Sequence, residues 1–171
     1  MKQMPRWVGS FKGLALLGLI ACDPVHSNDI AALGGEAPGV SKGPMHRPGQ
    51  PCTVCHDGAI GDPLAFSVAG TVFETPSSAH GADGVTVTMV DSSGSSHSAT
   101  TNAAGNFYLT PQNWTPVYPI LSVTVAAGDV GAIMHSQISW SGSCGWCHVK
   151  PAGPSSPGHV SLMLDDGGTP P

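Results

Sequence analysis

Between residues 65 and 136 the chain runs in short β-rich stretches in which apolar and polar positions alternate. The alternation is cleanest at Val85, Val87 and Met89 against Thr86 and Thr88, the two-residue period of a strand with one face buried. Comparable runs cover 66–73, 96–101, 106–110 and 120–125, with a weaker one over 130–136. Turn formers separate them: Ser92-Ser93-Gly94, Ala103-Ala104-Gly105, and Gly128-Asp129, which suits a tight hairpin. No part of this region carries a convincing helical period. The spacing predicts a mainly β fold, an antiparallel β-sandwich of about six or seven strands.

The flanks have a different texture. Residues 22–44 are rich in Gly, Pro, Ser and Ala with no period of 2 or 3.6, and read as a flexible tether. Before them, Lys2, Arg6 and Lys12 make a basic leader, and the apolar stretch from Gly13 to Ala21 is too short for a stable bilayer span. Residues 1–21 are therefore expected to be a signal peptide. Its end, Leu19-Ile20-Ala21-Cys22, resembles the lipobox of bacterial lipoproteins. That resemblance implies cleavage before Cys22, lipidation of Cys22 and a chain held on a membrane without crossing it. The alternative is an ordinary secretory signal with a coincidental cysteine. At the other end, Val160 to Leu164 is a short apolar run suited to an edge strand, and 165–171 reads as a loose tail.

Charge narrows the partners. The chain has six Lys and Arg against eleven Asp and Glu. With the leader removed, only Lys42, Arg47 and Lys150 oppose all eleven acids. Such a surface repels nucleic acid and favours partners with basic patches.

The chemistry lies outside the β region. Cys52-Thr53-Val54-Cys55-His56 and Cys144-Gly145-Trp146-Cys147-His148 both read C-x-x-C-H, the attachment signature of c-type haem. Two thiols three positions apart reach the two vinyl groups of one porphyrin edge, and the following imidazole falls under the iron. With five Cys and eight His in 171 residues, chance predicts roughly 0.007 such patterns per chain, a composition estimate set beside the motif rule. Two are present. Disulfides or a zinc site built from Cys52, Cys55, Cys144 and Cys147 are the competing readings. Neither explains why a His follows each pair. The five thiols are then fully assigned, Cys22 to lipid and four to two covalently attached haems.

The expected layout is a first haem-binding segment over 45–64, the sandwich over 65–136 and a second haem-binding segment over 137–164. Six alternating strands would leave both motifs at one end of the sandwich, whereas a seventh within 113–119 would separate them. His56 and His148 are the proximal ligands. For the sixth positions His46 and His135 are preferred as metal ligands, with His159, Met45 and Met134 open. His80 and His97 suit solvated positions, His26 belongs to the tether, and Met89 and Met163 suit the core.

Two resemblances add to this. Val68-Ala69-Gly70-Thr71-Val72, Gly84-Val85-Thr86-Val87-Thr88 and Thr101-Asn102-Ala103-Ala104-Gly105-Asn106-Phe107 are similar to the carboxypeptidase regulatory-like (transthyretin-like) sandwich. That family implies a binding or scaffold module and no activity. The order of motif, sandwich and motif resembles small dihaem cytochromes of exported bacterial proteins. It implies a lipid-anchored electron carrier of the periplasm or cell surface, not an enzyme. Its partners would be redox proteins or an extracellular electron acceptor, with haem stacking a route to homo-oligomers. The competing functions are a dihaem peroxidase-like enzyme, which needs an open sixth position, and a non-redox surface lipoprotein with zinc or disulfides. The sequence holds no G-x-S-x-G, H-E-x-x-H or Gly-rich phosphate loop.

Overall fold

The computed structural model describes residues 24–36, 38–58, 64–149, 152–154 and 156–163. The expected signal peptide over 1–21, Cys22 and the tail over 165–171 lie outside these residues.

Among the described residues the fold is mainly β, with six antiparallel strands in two sheets and one helix. The helix, α1, spans Pro24–Ala32, and the strands are β1 (Val68–Thr71), β2 (Thr86–Asp91), β3 (Ser96–Thr100), β4 (Asn106–Leu109), β5 (Ile120–Ala127) and β6 (Val130–Met134). β1 pairs with β4, and the larger sheet runs β3-β2-β5-β6. The predicted alternation appears directly in β2, where Val87, Met89 and Asp91 are buried and Thr86 is exposed. In β4, Phe107 and Leu109 turn inward while Tyr108 turns out. β5 and β6 meet through the two-residue loop Gly128-Asp129, where Gly128 has φ +59°. That left-handed backbone is why glycine opens the turn.

One buried cluster joins the sheets. Val68, Phe107 and Leu109 meet Val87, Met89 and Val125 in it, with Trp114 and Leu162 closing its margins. Asp91 is buried with them, yet its carboxylate is fully engaged. It accepts hydrogen bonds from the Ser93 hydroxyl (2.6 Å), from the backbone N–H groups of Ser93 (2.9 Å) and Ser95 (3.0 Å), and from Val117 N–H (2.9 Å). These bonds hold its pKa down at about 2.

The 113–119 segment is no seventh strand: Trp114 N–H returns to the Thr110 carbonyl, and the peptide bond before Pro119 is cis. Within the stretch read as a tether, Pro24–Ala32 forms α1, and the residues at its exit are held. Arg47 donates to Glu36 (3.0 Å), to the carbonyl of Gly34 (2.7 Å) and to Gln50 (2.9 Å), tying the exit of α1 to the first motif. The nine residues of α1 have no apolar stripe, so periodicity gives no signal for it. No helix among the described residues is long and apolar enough to cross a membrane.

Candidate functional site

The two C-x-x-C-H motifs fold alike. Each opens as one turn of 3-10 helix, Cys52–Val54 and Cys144–Trp146, entered from an extended residue and left through a right-handed helical one. In the first, the backbone N–H groups of Cys55 (3.2 Å) and His56 (3.0 Å) both donate to the Cys52 carbonyl. In the second, Cys147 (3.2 Å) and His148 (2.9 Å) do the same to Cys144. The turn thus curls the two cysteines and the histidine of each motif around one carbonyl.

Each imidazole is then fixed the same way. His56 Nδ1 lies 2.9 Å from the Leu64 carbonyl oxygen, and His148 Nδ1 lies 3.0 Å from that of Gly158. A carbonyl only accepts, so Nδ1 carries the proton and Nε2 presents a lone pair. This is the arrangement by which proteins orient a metal-ligating histidine. Burial also pulls the His148 pKa down, with the Gly158 hydrogen bond opposing it.

Strand β1 brings the motifs together. All four of its residues are buried, because one edge pairs with β4 and the other takes passing chain. Ala69 N–H donates to the Gly142 carbonyl (2.9 Å), and Phe73 N–H to that of Val160 (2.8 Å). This pairing lays Cys144 over Gly70, where an added Cβ would stand 2.8 Å from Cys144 Cβ and 2.9 Å from its Sγ. From the other side, Gly49 N–H donates to Thr71 Oγ1 (2.8 Å). Asn106 Nδ2 holds the His46 carbonyl (2.9 Å), and Asn102 Nδ2 holds that of Pro44 (2.7 Å). The T-N-x-x-G-x-F step therefore anchors the loop that leads into the first motif.

The motifs meet at Gly145, which lies against the Gln50-Pro51 backbone. The two motif segments thus lie against each other, both held to β1. Burial pushes the Cys52 thiol up to about 11 and the Cys144 thiol up to about 12, with Cys52 adding to the latter. All four described cysteines are free thiols, and no three His, Cys, Asp or Glu converge among the described residues.

A cavity of about 770 Å³ opens at the second motif, lined by Cys144, Cys147 and His148 with Met134, His135 and His159. Its size and largely apolar walls suit a cofactor. Val123, Phe107, Trp140 and Trp146 supply much of that wall. Ser143 Oγ, also on the wall, is buried without a hydrogen-bond partner. No protein family, curated protein or solved structure matches this chain. What the residues can do must therefore come from their own geometry.

The distal candidates separate. His46 stands near His56, with ring centroids 5.9 Å apart, and its Nδ1 faces Glu36 at 3.7 Å. His135 follows β6 and lines the cavity. His159 also borders it but stacks on Phe73, with centroids 3.9 Å apart. Met134 lines the cavity, whereas Met45 is exposed on the loop before His46. His26, read as part of the tether, lies 3.6 Å from Asp57 beside the first motif. His80 sits in an exposed loop, while His97 stacks on Trp114 at 5.0 Å. Met89 is core, and Met163 packs against it. Sequence reasoning missed Phe66, whose ring lies 4.3 Å from that of His56 and stacks on Tyr108 at 4.4 Å. An aromatic ten residues after the motif was the available signal. Trp140 and Trp146 were missed as well, and their isolation in a Ser/Gly-rich stretch was the clue.

Proposed function

We propose that this chain is an electron-transfer protein carrying two covalently attached c-type haems, one on Cys52, Cys55 and His56 and one on Cys144, Cys147 and His148. One observation carries the reading: both motifs form the same turn, and both imidazoles are held through Nδ1 by a backbone carbonyl, which leaves the Nε2 lone pair as the ligating one. A disulfide has no use for that pair of oriented imidazoles, and against zinc the reading rests on the repeated C-x-x-C-H pattern. The cavity at the second motif supports the same cofactor, being large, mostly apolar and bordered by its cysteines and histidine.

When bound, haem supplies one-electron chemistry at each iron. The chain's own work is ligation and positioning. His56 and His148 would hold the irons, one at each motif. His46, whose ring stands near that of His56, would be the sixth ligand at the first site, and His135, on the wall of the cavity, at the second. The Asn102 and Asn106 amides steady the loop that bears His46. The two sheets serve as the faces of a β-sandwich flanked by the haem segments. Their shared cluster of Val68, Phe107, Met89 and Val125 favours that description, as does the Thr101 to Phe107 step for the transthyretin-like resemblance. Export, lipid attachment at Cys22, a periplasmic or outer-surface location and a basic redox partner complete the proposal, and rest on the leader and the acidic charge balance.

The test is haem content. Purified mature protein should stain for haem on a denaturing gel, show two haems per chain as pyridine adducts, and lose one with Cys52→Ala/Cys55→Ala or Cys144→Ala/Cys147→Ala. A colourless protein, or peptides in which these sulfurs are joined to each other or hold zinc, would overturn it.

A further inference from the structure

We infer that the two C-x-x-C-H turns are a single docked unit, so that haems held at His56 and His148 interact directly and titrate as a coupled pair, with Gly145 as the residue that sets their approach. This rests on the haem reading above.

The geometry begins at Gly145, which is buried inside the second turn. A Cβ added there would stand 2.5 Å from the Gln50 carbonyl carbon, 2.6 Å from its oxygen and 2.7 Å from Pro51 N. All three are backbone atoms of the two residues that open the first turn, so no side-chain rotation could relieve the contact. Cys144 precedes Gly145 and Cys52 follows Pro51. The first attachment sulfur of each motif therefore flanks the contact, one on each side.

The docking has a rigid base. Gly70 lies beneath Cys144, and Thr71, the next residue of β1, receives the N–H of Gly49 three residues before Cys52. One buried strand thus fixes both turns, and neither can shift without disturbing the β1–β4 pair.

The redox consequence follows from charge. Each iron takes one electron from a soluble reductant, two per chain, and each electron removes one positive charge. Like changes of charge on neighbouring, partly buried sites oppose one another. Reducing the first iron therefore makes the second harder to reduce, and the two observed potentials belong to the pair and not to either site.

The experiment uses the purified two-haem protein, the two one-haem proteins made by Cys52→Ala/Cys55→Ala and Cys144→Ala/Cys147→Ala, and Gly145→Val. Circular dichroism in the Soret band should be bisignate in the two-haem protein and single-signed in each one-haem protein. In a spectroelectrochemical titration the pair should spread wider than the two one-haem curves added together, with the last electron entering at a lower potential than in either one-haem protein. Gly145→Val should keep two haems while the bisignate signal weakens and the titration narrows. If that variant does not fold, the one-haem comparison decides. Should the one-haem proteins also fail to load, the sign pattern of the two-haem protein decides alone. Two haems per chain whose spectrum and titration equal the sum of the one-haem proteins would overturn the coupling and leave the haem reading standing. Absence of haem would overturn the reading itself.

Discussion

Gly142→Ala tests how the second motif is delivered to β1. A Cβ at this position would stand 2.1 Å from the Ser67 carbonyl oxygen and 2.9 Å from Val68 Cα, both fixed backbone. The 142–143 segment must then withdraw from β1. Withdrawal breaks the 2.9 Å hydrogen bond from Ala69 N–H to the Gly142 carbonyl, and Ala69 is fully buried. Overpacking of this kind costs about 1–3 kcal/mol, and a buried donor left without an acceptor costs about 1–3 kcal/mol. Because the same withdrawal relieves one and causes the other, the two do not simply add, and about 2–4 kcal/mol is the expected loss. For a domain of this size that lowers Tm by roughly 6–15 °C. The assay is thermal unfolding followed by β-sheet circular dichroism, with Gly35→Ala as control. An added Cβ at Gly35 meets nothing within 4 Å, so that variant should stay within about 0.5 kcal/mol of the parent. Gly142→Ala melting within about 2 °C of the parent would refute the edge pairing with β1, and with it the route by which Cys144 reaches Gly70.

Asn106→Ala should free the loop before the first motif. It removes the Nδ2 bonds to the carbonyls of His46 and Pro44 and the contact with Thr71 Oγ1, a loss of about 1–2 kcal/mol for partly exposed neutral bonds. Limited trypsin digestion should cut faster after Lys42, and an unchanged rate would count against the anchoring role. Asp91 gives a pH signature. Its folded pKa of about 2 lies below the ordinary 3.8. Its stabilising contribution is therefore complete above the unfolded value and disappears as pH falls through the folded one. The parent should lose stability between pH 4 and about 2 more steeply than Asp91→Asn, as measured by urea unfolding at stepped pH. Parallel profiles would show that the buried carboxylate is not the group responsible.

The strands were legible because their signal is local. Val85, Val87 and Met89 alternate with threonines, since the strand they begin has one wet and one dry face, and Gly128-Asp129 marks the β5–β6 hairpin without reference to anything distant. β1 was harder. Its buried run was expected over 66–73 but pairs with β4 only over Val68–Thr71, because β4 begins at Asn106: Val72 N–H reaches the turn carbonyl of Gly105, and Phe73 bonds to Val160 and Leu162 on the opposite edge. The order β3-β2-β5-β6 places β5 beside β2 across the intervening β3 and β4, a long-range choice that no window of residues records. At the motifs the sequence revealed the donors and not their orientation. Leu64 and Gly158 act through backbone carbonyls, which any residue would offer, so the groups that turn His56 and His148 carry no side-chain signal at all.

The small residues of β1 explain why a strand, and not a helix, can organise two such turns. Ala69, Gly70 and Thr71 leave little side-chain bulk between the core and the chain crossing the strand, so Cys144 settles directly on backbone at Gly70. A helix at this position would bury one stripe and hold the opposite face about 10 Å away. A strand is thin enough to be met on both faces: Gly70 shares the face of Val68 and Val72, where Cys144 packs against the core, and Thr71 on the other face holds Gly49. Its unpaired edge is also chemically useful: the N–H groups of Ala69 and Phe73 would otherwise lack acceptors, and the segments on either side of the second motif supply them at Gly142 and Val160. Satisfying that edge and positioning the second motif are thus the same set of hydrogen bonds. A change that loosens one must loosen the other, which ties the placement of the cysteines and histidine to the stability of the smaller sheet.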